Sequence, residues 1–187
     1  MERIRIAEEK DVEHLKRLTD ENLGVDFYTT EYILDAIRSD TKEFYVFTDE
    51  NDVPIGYQYM IVTPYARARE LLKIDFPVPE LASLHDESMV GIYKTSCTDI
   101  RYRGRGVFNT LVRSVEAVLS ARNIRILMGE AMRHPSGFIP VAASVEKMGF
   151  HAVATIPHPW SDIDSYCPYC NNQFCQCDAL LYIKELE

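Results

Sequence analysis

A short run of arginines and glycines is the first feature of this sequence that could do chemistry. Residues 101–106 read Arg-Tyr-Arg-Gly-Arg-Gly and stand directly before an apolar run with helical spacing. A helix N-terminus carries a partial positive charge, so cations beside it are unfavourable unless an anion lies between them. Glycines let a ligand approach the main-chain N–H groups, which at a helix start bind anions such as diphosphate. The spacing predicts a phosphate-binding loop, with a glycine turn carrying solvated arginines as the alternative.

Four of the five cysteines form a second such group. Residues 167–177 read Cys-Pro-Tyr-Cys-Asn-Asn-Gln-Phe-Cys-Gln-Cys, and Cys-Pro-x-Cys is a common zinc half-site. We favour a structural zinc ion with the ligands Cys167, Cys170, Cys175 and Cys177. Because Cys-x-Cys is a less usual spacing, His158, Asp162 or Asp178 could replace one of them. Free or redox-active thiols, a disulfide pair and an iron–sulfur cluster are the alternatives.

The composition excludes several classes of protein. The chain has 187 residues, 47% of them hydrophobic, and a formal net charge of −9 at pH 7. That length suits one domain with a sizeable core, and the acidic surface argues against a nucleic-acid partner. The first residues lack the apolar core of a signal peptide, and no apolar stretch approaches transmembrane length. We therefore expect a cytoplasmic protein with no membrane partner, where a reducing environment disfavours disulfides.

Alternating and helical patterns divide the chain into an α/β arrangement. We predict strands over residues 2–7, 44–47, 54–62, 89–98, 124–132, 150–156 and 179–186. We predict helices over residues 8–22, from Thr29 or Thr30 to about Arg38, from the end of the arginine–glycine loop to a left-handed stop at Asn123, and over 138–148. The apolar faces are Val12, Leu15 and Leu18 in the first helix and Phe108, Leu111, Val112, Val115, Val118 and Leu119 in the third. The order predicts a single domain over 1–187, with an insertion at 63–88 that carries a helical turn around 69–73 and a Cys-rich loop at 157–178.

The order of elements around residues 89–150 resembles the GNAT superfamily of acyl-CoA-dependent N-acetyltransferases. Their pyrophosphate loop reads Arg/Gln-x-x-Gly-x-Gly/Ala, and residues 103–108 (Arg-Gly-Arg-Gly-Val-Phe) match it except at Phe108. Residues 145–150 (Val-Glu-Lys-Met-Gly-Phe) are similar to the end of the family's helix before its sixth strand. The resemblance covers about residues 2–156. It implies a GNAT-like mixed, mostly antiparallel central sheet with helices on both faces.

The same resemblance implies acetyl-CoA as co-substrate. The amides of residues 105–108, with Gly104 and the Arg103 side chain, would hold its pyrophosphate, and Asn109 could add a contact. The backbone of Cys97 and Thr98 would pair with the pantetheine arm as an added strand. The implied binding residues are Cys97, Thr98, Arg103, Gly104, Arg105, Gly106, Val107, Phe108 and Asn109.

The catalytic groups are less clearly marked. Acetyl transfer needs a neutral amine, a polarised carbonyl and a stabilised thiolate. The family's tyrosine acid corresponds here to Val145, and its helix-start asparagine to Phe138. The replacements we predict are Ser144, His134 or Ser136 as acid and Glu130 or Asp99 as base. A solvent-facing glutamate and a loop histidine are the structural alternatives, and proximity alone can also support transfer.

These observations predict an N-acetyltransferase that moves an acetyl group from acetyl-CoA to a small-molecule or peptide amine by direct attack in a ternary complex. The alternatives are a catalytically silent GNAT domain that binds acyl-CoA and a zinc-loop module that binds other proteins. We expect the insertion and the Cys-rich loop to form the acceptor pocket. Residues 160–166, with two aspartates and two aromatics, are predicted to help bind a cationic amine. Both a monomer and a homodimer remain open.

Overall fold

The computed structural model describes residues 3–139, 141–161, 166–167, 170 and 173–187. Seven strands form a mostly antiparallel sheet, and they are β1 Arg3–Ile6, β2 Lys42–Thr48, β3 Pro54–Pro64, β4 Met89–Thr98, β5 Ile126–Arg133, β6 His151–Ile156 and β9 Asp178–Glu185. Their order across the sheet is β1–β2–β3–β4–β5–β9–β6. The short strands β7 Tyr166–Cys167 and β8 Gln173–Phe174 pair separately. The predicted α/β class and mostly antiparallel sheet are confirmed.

Five α-helices accompany the strands in the described part of the chain. They are α1 Val12–Leu23, α2 Thr30–Ile37, α3 Tyr65–Leu71, α4 Val107–Ala121 and α5 Ala142–Lys147. None of them combines the length and the apolar character needed to cross a membrane.

The residue contacts group the chain into two compact units. Unit 1 comprises Met1–Val62 and Tyr93–Ile124, and unit 2 comprises Thr63–Ile92 and Arg125–Glu187. The arginine–glycine loop lies in unit 1 and the four cysteines lie in unit 2. The single domain predicted from the sequence stays a prediction.

Unit 1 follows the sequence patterns closely. The α1 stripe is buried, and the hydroxyl of Thr29 caps α2 by accepting from the Tyr32 N–H at 3.2 Å. Asn123 takes the predicted left-handed conformation with φ 61° after α4. Val118 is an exception, because its side chain is 40% exposed at the edge of the α4 face. The buried face of α4 begins with Val107, whereas Phe108, the predicted first residue of that face, is half-buried.

Unit 2 departs from the patterns in two places. Helix α5 begins at Ala142 and not at 138, because the carbonyl of Phe138 accepts from the His134 N–H at 2.9 Å in a tight turn. Helix α3 begins at Tyr65, whose N–H donates to the Ser88 carbonyl at 2.8 Å. The helical turn predicted around 69–73 is therefore the end of a longer helix within the insertion.

Candidate functional site

The arginine–glycine loop, residues 101–106, connects β4 to α4 in unit 1. A 3-10 turn over Ile100–Tyr102 leads into it, and Gly104 and Gly106 have φ values of 75° and 84°. A Cβ on either glycine would meet nothing within 4 Å, so the space above both is open. The glycines are thus required by the left-handed backbone, and they leave the loop accessible to a ligand.

The main-chain amides at the start of α4 are available to an anion. Gly106 precedes the helix, and Thr110 is the first residue to donate back, to the Gly106 carbonyl at 2.9 Å. Within the described residues, no group accepts from the amides of Gly104, Gly106, Val107 or Phe108. The amide of Arg105 reaches the Tyr102 carbonyl only at 3.4 Å. These N–H groups lie at the positive end of a 15-residue helix, where the local chemistry favours an anion.

The three arginines of the loop have different partners. Arg101 is bound by the carboxylate of Asp99, with Nη2 to Oδ2 at 2.7 Å. Arg103 donates to the side-chain oxygen of Asn22 at 2.7 Å, and Arg105 lies 5.2 Å from the centre of the Tyr102 ring. Arg101 therefore needs no bound anion to be accommodated, whereas in the described part of the chain Arg103 and Arg105 have no carboxylate partner.

Asp99 anchors the loop and is unsuited to act as a base. Its side chain is 1% exposed, and it accepts from the main-chain N–H and the guanidinium of Arg101 and from Arg17. The Arg101 guanidinium holds the pKa of this carboxyl well below its usual range. A carboxylate held in two ion pairs takes up no proton near neutral pH, so the structure argues against the predicted role of Asp99 as a base.

The last residues of β4 present main-chain groups on two sides. The N–H of Asp99 donates to the Ile55 carbonyl at 2.9 Å, and the Gln58 side chain donates to the Thr95 carbonyl at 3.2 Å. The N–H of Asp99 therefore points toward β3. Because the direction alternates along a strand, the N–H and C=O of Thr98 point to the opposite edge. Of the two residues predicted to bind an extended ligand, Thr98 has the suitable orientation.

The Cys97 side chain has a structural environment. Its Sγ lies 3.2 Å from the Tyr57 hydroxyl, and the residue is 2% exposed. Burial raises the pKa of this thiol to about 11, so it stays protonated. Cys97 is thus part of the core that supports β4 and has none of the character of a reactive thiol.

Three residues of this region escaped the sequence analysis. Arg17 and Asn22 on α1 bind Asp99 and Arg103, and Gln58 on β3 is buried with both of its side-chain polar atoms bonded. Polar residues on the outer side of α1 carry no distinguishing pattern. Gln58 offered one signal, since an amide within an otherwise apolar strand must find partners.

The predicted catalytic residues occupy three elements of unit 2. Glu130 lies half-buried on β5 opposite Leu181, and Ser144 is exposed on α5. The Nδ1 of His134 lies 2.6 Å from the Ser136 hydroxyl and accepts from the Ser136 N–H at 3.1 Å. An Nδ1 that accepts a main-chain hydrogen bond carries no proton, so the neutral ring carries its hydrogen on Nε2.

The four thiols of the cysteine cluster, Cys167, Cys170, Cys175 and Cys177, converge in unit 2. Their Sγ atoms all lie within 4.8 Å of one another, and those of Cys170 and Cys177 are 3.6 Å apart. None of these four described cysteines is in a disulfide, so the structure does not contain the disulfide alternative. Zinc bound at about 2.3 Å in a tetrahedron places its sulfur ligands about 3.8 Å apart, so one ion fits between them.

The surroundings of the cluster suit a thiolate site. The Gln176 N–H donates to the Cys170 Sγ at 3.3 Å, and this hydrogen bond lowers the pKa of Cys170. Burial raises the pKa of Cys177, so this thiol remains protonated unless a cation replaces the proton. Of the substitute ligands, Asp178 is bound by Arg133 at 2.8 Å, and Asp162 lies outside the described residues. So does most of the segment predicted to bind a cationic amine, residues 162–165.

Several solved structures have the same architecture as this chain over nearly its whole length. NAA60 from Arabidopsis thaliana in complex with acetyl-CoA is 14% identical, with 100% of this chain and 99% of that one covered at a TM-score of 0.73. Naa20 from Chaetomium thermophilum in complex with a bisubstrate analogue is 14% identical, with 98% and 86% covered at 0.72. A protein from Desulfovibrio desulfuricans assigned to the GNAT acetyltransferases is 15% identical, with 100% of both chains covered at 0.68. The chain has the GNAT fold.

The sequence itself gives no further match, since no protein-family model and no curated protein matches it. Within the GNAT fold, the arginine–glycine loop stands where the resemblance placed the pyrophosphate loop, between β4 and α4. The positions that correspond to the family's tyrosine acid and asparagine hold apolar residues, Val145, which is half-buried, and Phe138, which is 60% exposed. Neither side chain can exchange a proton or donate a hydrogen bond.

Proposed function

We propose that this protein transfers an acetyl group from acetyl-CoA to an amine of a peptide or a small molecule. The observation that carries the proposal is the group of unpaired amides at Gly104, Gly106, Val107 and Phe108, at the start of α4 in a GNAT fold. An open, amide-lined helix start suits a diphosphate, and acetyl-CoA carries one.

The co-substrate would be held by unit 1. The amides of residues 104–108 and the Arg103 guanidinium would bind the pyrophosphate, with Asn109 in the first turn of α4 as a further polar contact. The outward N–H and C=O of Thr98 can pair with an extended amide-containing arm as a neighbouring strand would. Phe108 takes part through its amide alone, since its aromatic side chain offers an anion nothing.

The catalytic part of the proposal assigns Glu130, His134 and Ser144. In the reaction the amine nitrogen bonds to the acetyl carbon, the thioester C–S bond breaks, one amine proton passes to a base and the thiolate takes up a proton. Glu130 is the proposed base, because it is a half-buried carboxylate on the strand that also carries two methionines of the same face. His134 has its Nε2–H as a donor, and Ser144 is the hydroxyl nearest in sequence to the family's acid position.

The solved neighbours support the choice of substrates. NAA60 was crystallised with acetyl-CoA and, separately, with a bisubstrate analogue, and the Escherichia coli neighbour is a ribosomal-protein-S18-alanine N-acetyltransferase. We extend acetyl-CoA and an amine acceptor to this chain as part of the proposal. A cytoplasmic location and the absence of nucleic-acid and membrane partners remain predictions from the sequence, and a homodimer stays open.

The proposal includes a zinc ion at the cysteine cluster. Four thiolates fill the tetrahedral coordination of zinc and leave no position for a substrate, which is the arrangement of a structural site. Acetyl transfer would therefore proceed without the metal touching the reacting atoms.

A thiol-release assay tests the proposed function. The protein is incubated with acetyl-CoA and a panel of small amines and of peptides with free N-termini. Acetylated forms of the same peptides are the control, because they offer no N-terminal amine. We expect CoA release with at least one free amine and none with its acetylated counterpart. Acetyl-CoA binding in calorimetry without any turnover would instead support the silent acyl-CoA-binding domain, and no binding at all would overturn the proposal.

A further inference from the structure

The cysteine cluster sits where three strands of unit 2 end. Ala179 of β9 pairs with Met132 of β5 on one side and with Ile156 of β6 on the other. The cysteines at 175 and 177 lead directly into β9, and Met132 and Trp160 pack against the cluster. The thiols therefore close the sheet at one end.

The segment that carries the cluster is unusually long for its position. Ile156 and Ala179 are paired neighbours, yet the whole of residues 157–178 lies between them in sequence. Connections beyond about 12–15 residues are uncommon unless they carry secondary structure or function, and this one carries the β7–β8 pair and the four cysteines. Its two ends bind each other, with the His158 Nδ1 3.0 Å from the Gln176 carbonyl, and the Lys73 ammonium after α3 donates to the Pro159 carbonyl at 2.5 Å.

The residues next to the cluster on β5 are the proposed catalytic ones. Glu130 and Met132 are two apart on a strand, so their side chains lie on the same face, roughly 7 Å apart along it. His134 follows one residue after β5 ends, in the turn closed by the Gly137 N–H and the His134 carbonyl at 2.7 Å. The cluster thus stands beside the strand end, residues 130–134, that carries two of the proposed groups.

We infer that zinc bound by Cys167, Cys170, Cys175 and Cys177 sets the position of this β5 end, and so acts as the positioning centre for acceptor acetylation. The inference rests on the zinc part of the proposed function. Without the ion, the hydrogen bonds that the structure describes at these thiols are weak, with Cys170 and Cys177 3.6 Å apart and the Gln176 N–H 3.3 Å from Cys170. An ion with four thiolate ligands would join Cys167 and Cys170 to the residues that lead into β9 far more firmly. The ion holds the sheet end and exchanges no proton with the substrate.

The metal content of the purified protein is the first test of this inference. Full-length protein is purified under reducing conditions without chelator, and zinc and iron are measured. We expect one zinc per chain in the wild type, its loss in Cys177→Ser and its retention in Cys97→Ser, since Cys97 lies outside the cluster. Less than half an equivalent of zinc in the wild type, or iron in its place, removes the metal assignment.

The positioning role is tested on the wild-type chain by chelation and zinc return, which does not depend on a variant folding. Hydrogen exchange is expected to quicken at amides of residues 126–133 and 178–185 and to stay unchanged at 107–121, with full recovery when zinc is restored. Acetyl-CoA affinity should hold, while kcat with the amine falls at least tenfold. Zinc that binds but leaves exchange in β5 and β9 unaltered would refute the positioning role while the metal site stands. Equal loosening of α4 would refute it too, because the effect would then be global.

Discussion

The arginine–glycine loop of unit 1 and the β5 end of unit 2 are built from different parts of the chain. In the loop the proposed binding groups are main-chain amides, which Gly104 and Gly106 leave accessible because they carry no side chain. At the β5 end the proposed groups are side chains, Glu130 and His134, beside a cluster of four thiols. A site made of main-chain groups tolerates wide sequence change as long as the turn survives. A site made of side chains changes whenever one residue is replaced.

That difference accounts for how each region compares with the family pattern. In the proposed site the loop tolerates Phe108 at a position where glycine or alanine is usual, because only the amide of that residue would bind the diphosphate. Unit 2 has valine and phenylalanine at the positions that resemble the family's acid and amide, and four cysteines that the resemblance does not include. We therefore expect co-substrate binding to follow the family and the handling of the amine to be particular to this chain.

Blocking the loop should have the largest effect. In Gly106→Glu a carboxylate enters the space where the diphosphate is proposed to bind, and like charges in contact cost several kcal/mol. We expect acetyl-CoA affinity to fall about 1,000-fold, equivalent to about 4 kcal/mol, with activity lost in parallel. Isothermal titration with acetyl-CoA measures it.

Strain is separated from blocking by a matched variant. Gly149 has φ 87°, close to the 84° of Gly106, and a Cβ there makes only ordinary contact with Lys184. Gly149→Glu therefore imposes similar backbone strain far from the loop in sequence, and it should bind acetyl-CoA normally. If both variants lose binding equally, main-chain strain and not the diphosphate explains the result.

Removing the proposed base should affect the chemistry and leave binding intact. Glu130→Gln keeps the size of the side chain and removes its ability to take up a proton, so we expect kcat to fall about 100-fold. The acid limb of the pH profile of kcat/KM should disappear, while acetyl-CoA affinity stays unchanged. Glu185→Gln, an exposed site on β9, is the control. A normal kcat in Glu130→Gln would show that Glu130 is not the base, and it would weaken the contrast between the two regions.

The sequence predicted the position of the arginine–glycine loop better than it predicted the catalytic groups, and the reason is physical. Glycines directly before an apolar helix constrain the backbone locally, so their spacing predicted a loop that turns at Gly104 and Gly106. Cysteine spacing likewise predicted the cluster, because a short segment brings its own residues together. The partner of Arg101 was overlooked although Asp99 lies two residues away, since charge alone does not show which way a side chain turns. The start of α5 was misplaced because the turn at 134–138 takes up the Phe138 carbonyl.

Loosening the anchor of the loop should have an intermediate effect. Asp99→Asn leaves the turn without a charged acceptor for Arg101 and Arg17, which costs about 1–3 kcal/mol of unfolding free energy. We expect acetyl-CoA affinity to drop about tenfold, as for the loss of one charged hydrogen bond. Urea unfolding and calorimetry measure the two effects.

The contribution of Asp99 to the free energy of unfolding should depend on pH. The pKa of Asp99 is lowered in the folded state, so the unfolded chain binds its proton first, and the stabilisation is present above about pH 4 and lost as the pH falls. Asp99→Asn should flatten that acid loss. Asp52, whose pKa is lowered by Arg3, is the matched control. Asp52→Asn should flatten the acid loss as well but keep acetyl-CoA affinity, and an equal loss of affinity would mean that general destabilisation and not the loop is responsible.

Removing a single loop cation should have the smallest effect and decides between a bound and a solvated arginine. Arg103→Ala deletes an exposed guanidinium that Asn22 holds in place, and exposed ionic contacts contribute about 0.2–1 kcal/mol. We expect a two- to fivefold loss of acetyl-CoA affinity, shrinking at high ionic strength as screening increases. Arg105→Ala removes a cation that lies over the Tyr102 ring and should change affinity less. If Arg103→Ala binds acetyl-CoA as tightly as the wild type at low salt, its side chain is a solvated cation and the amides alone hold the diphosphate.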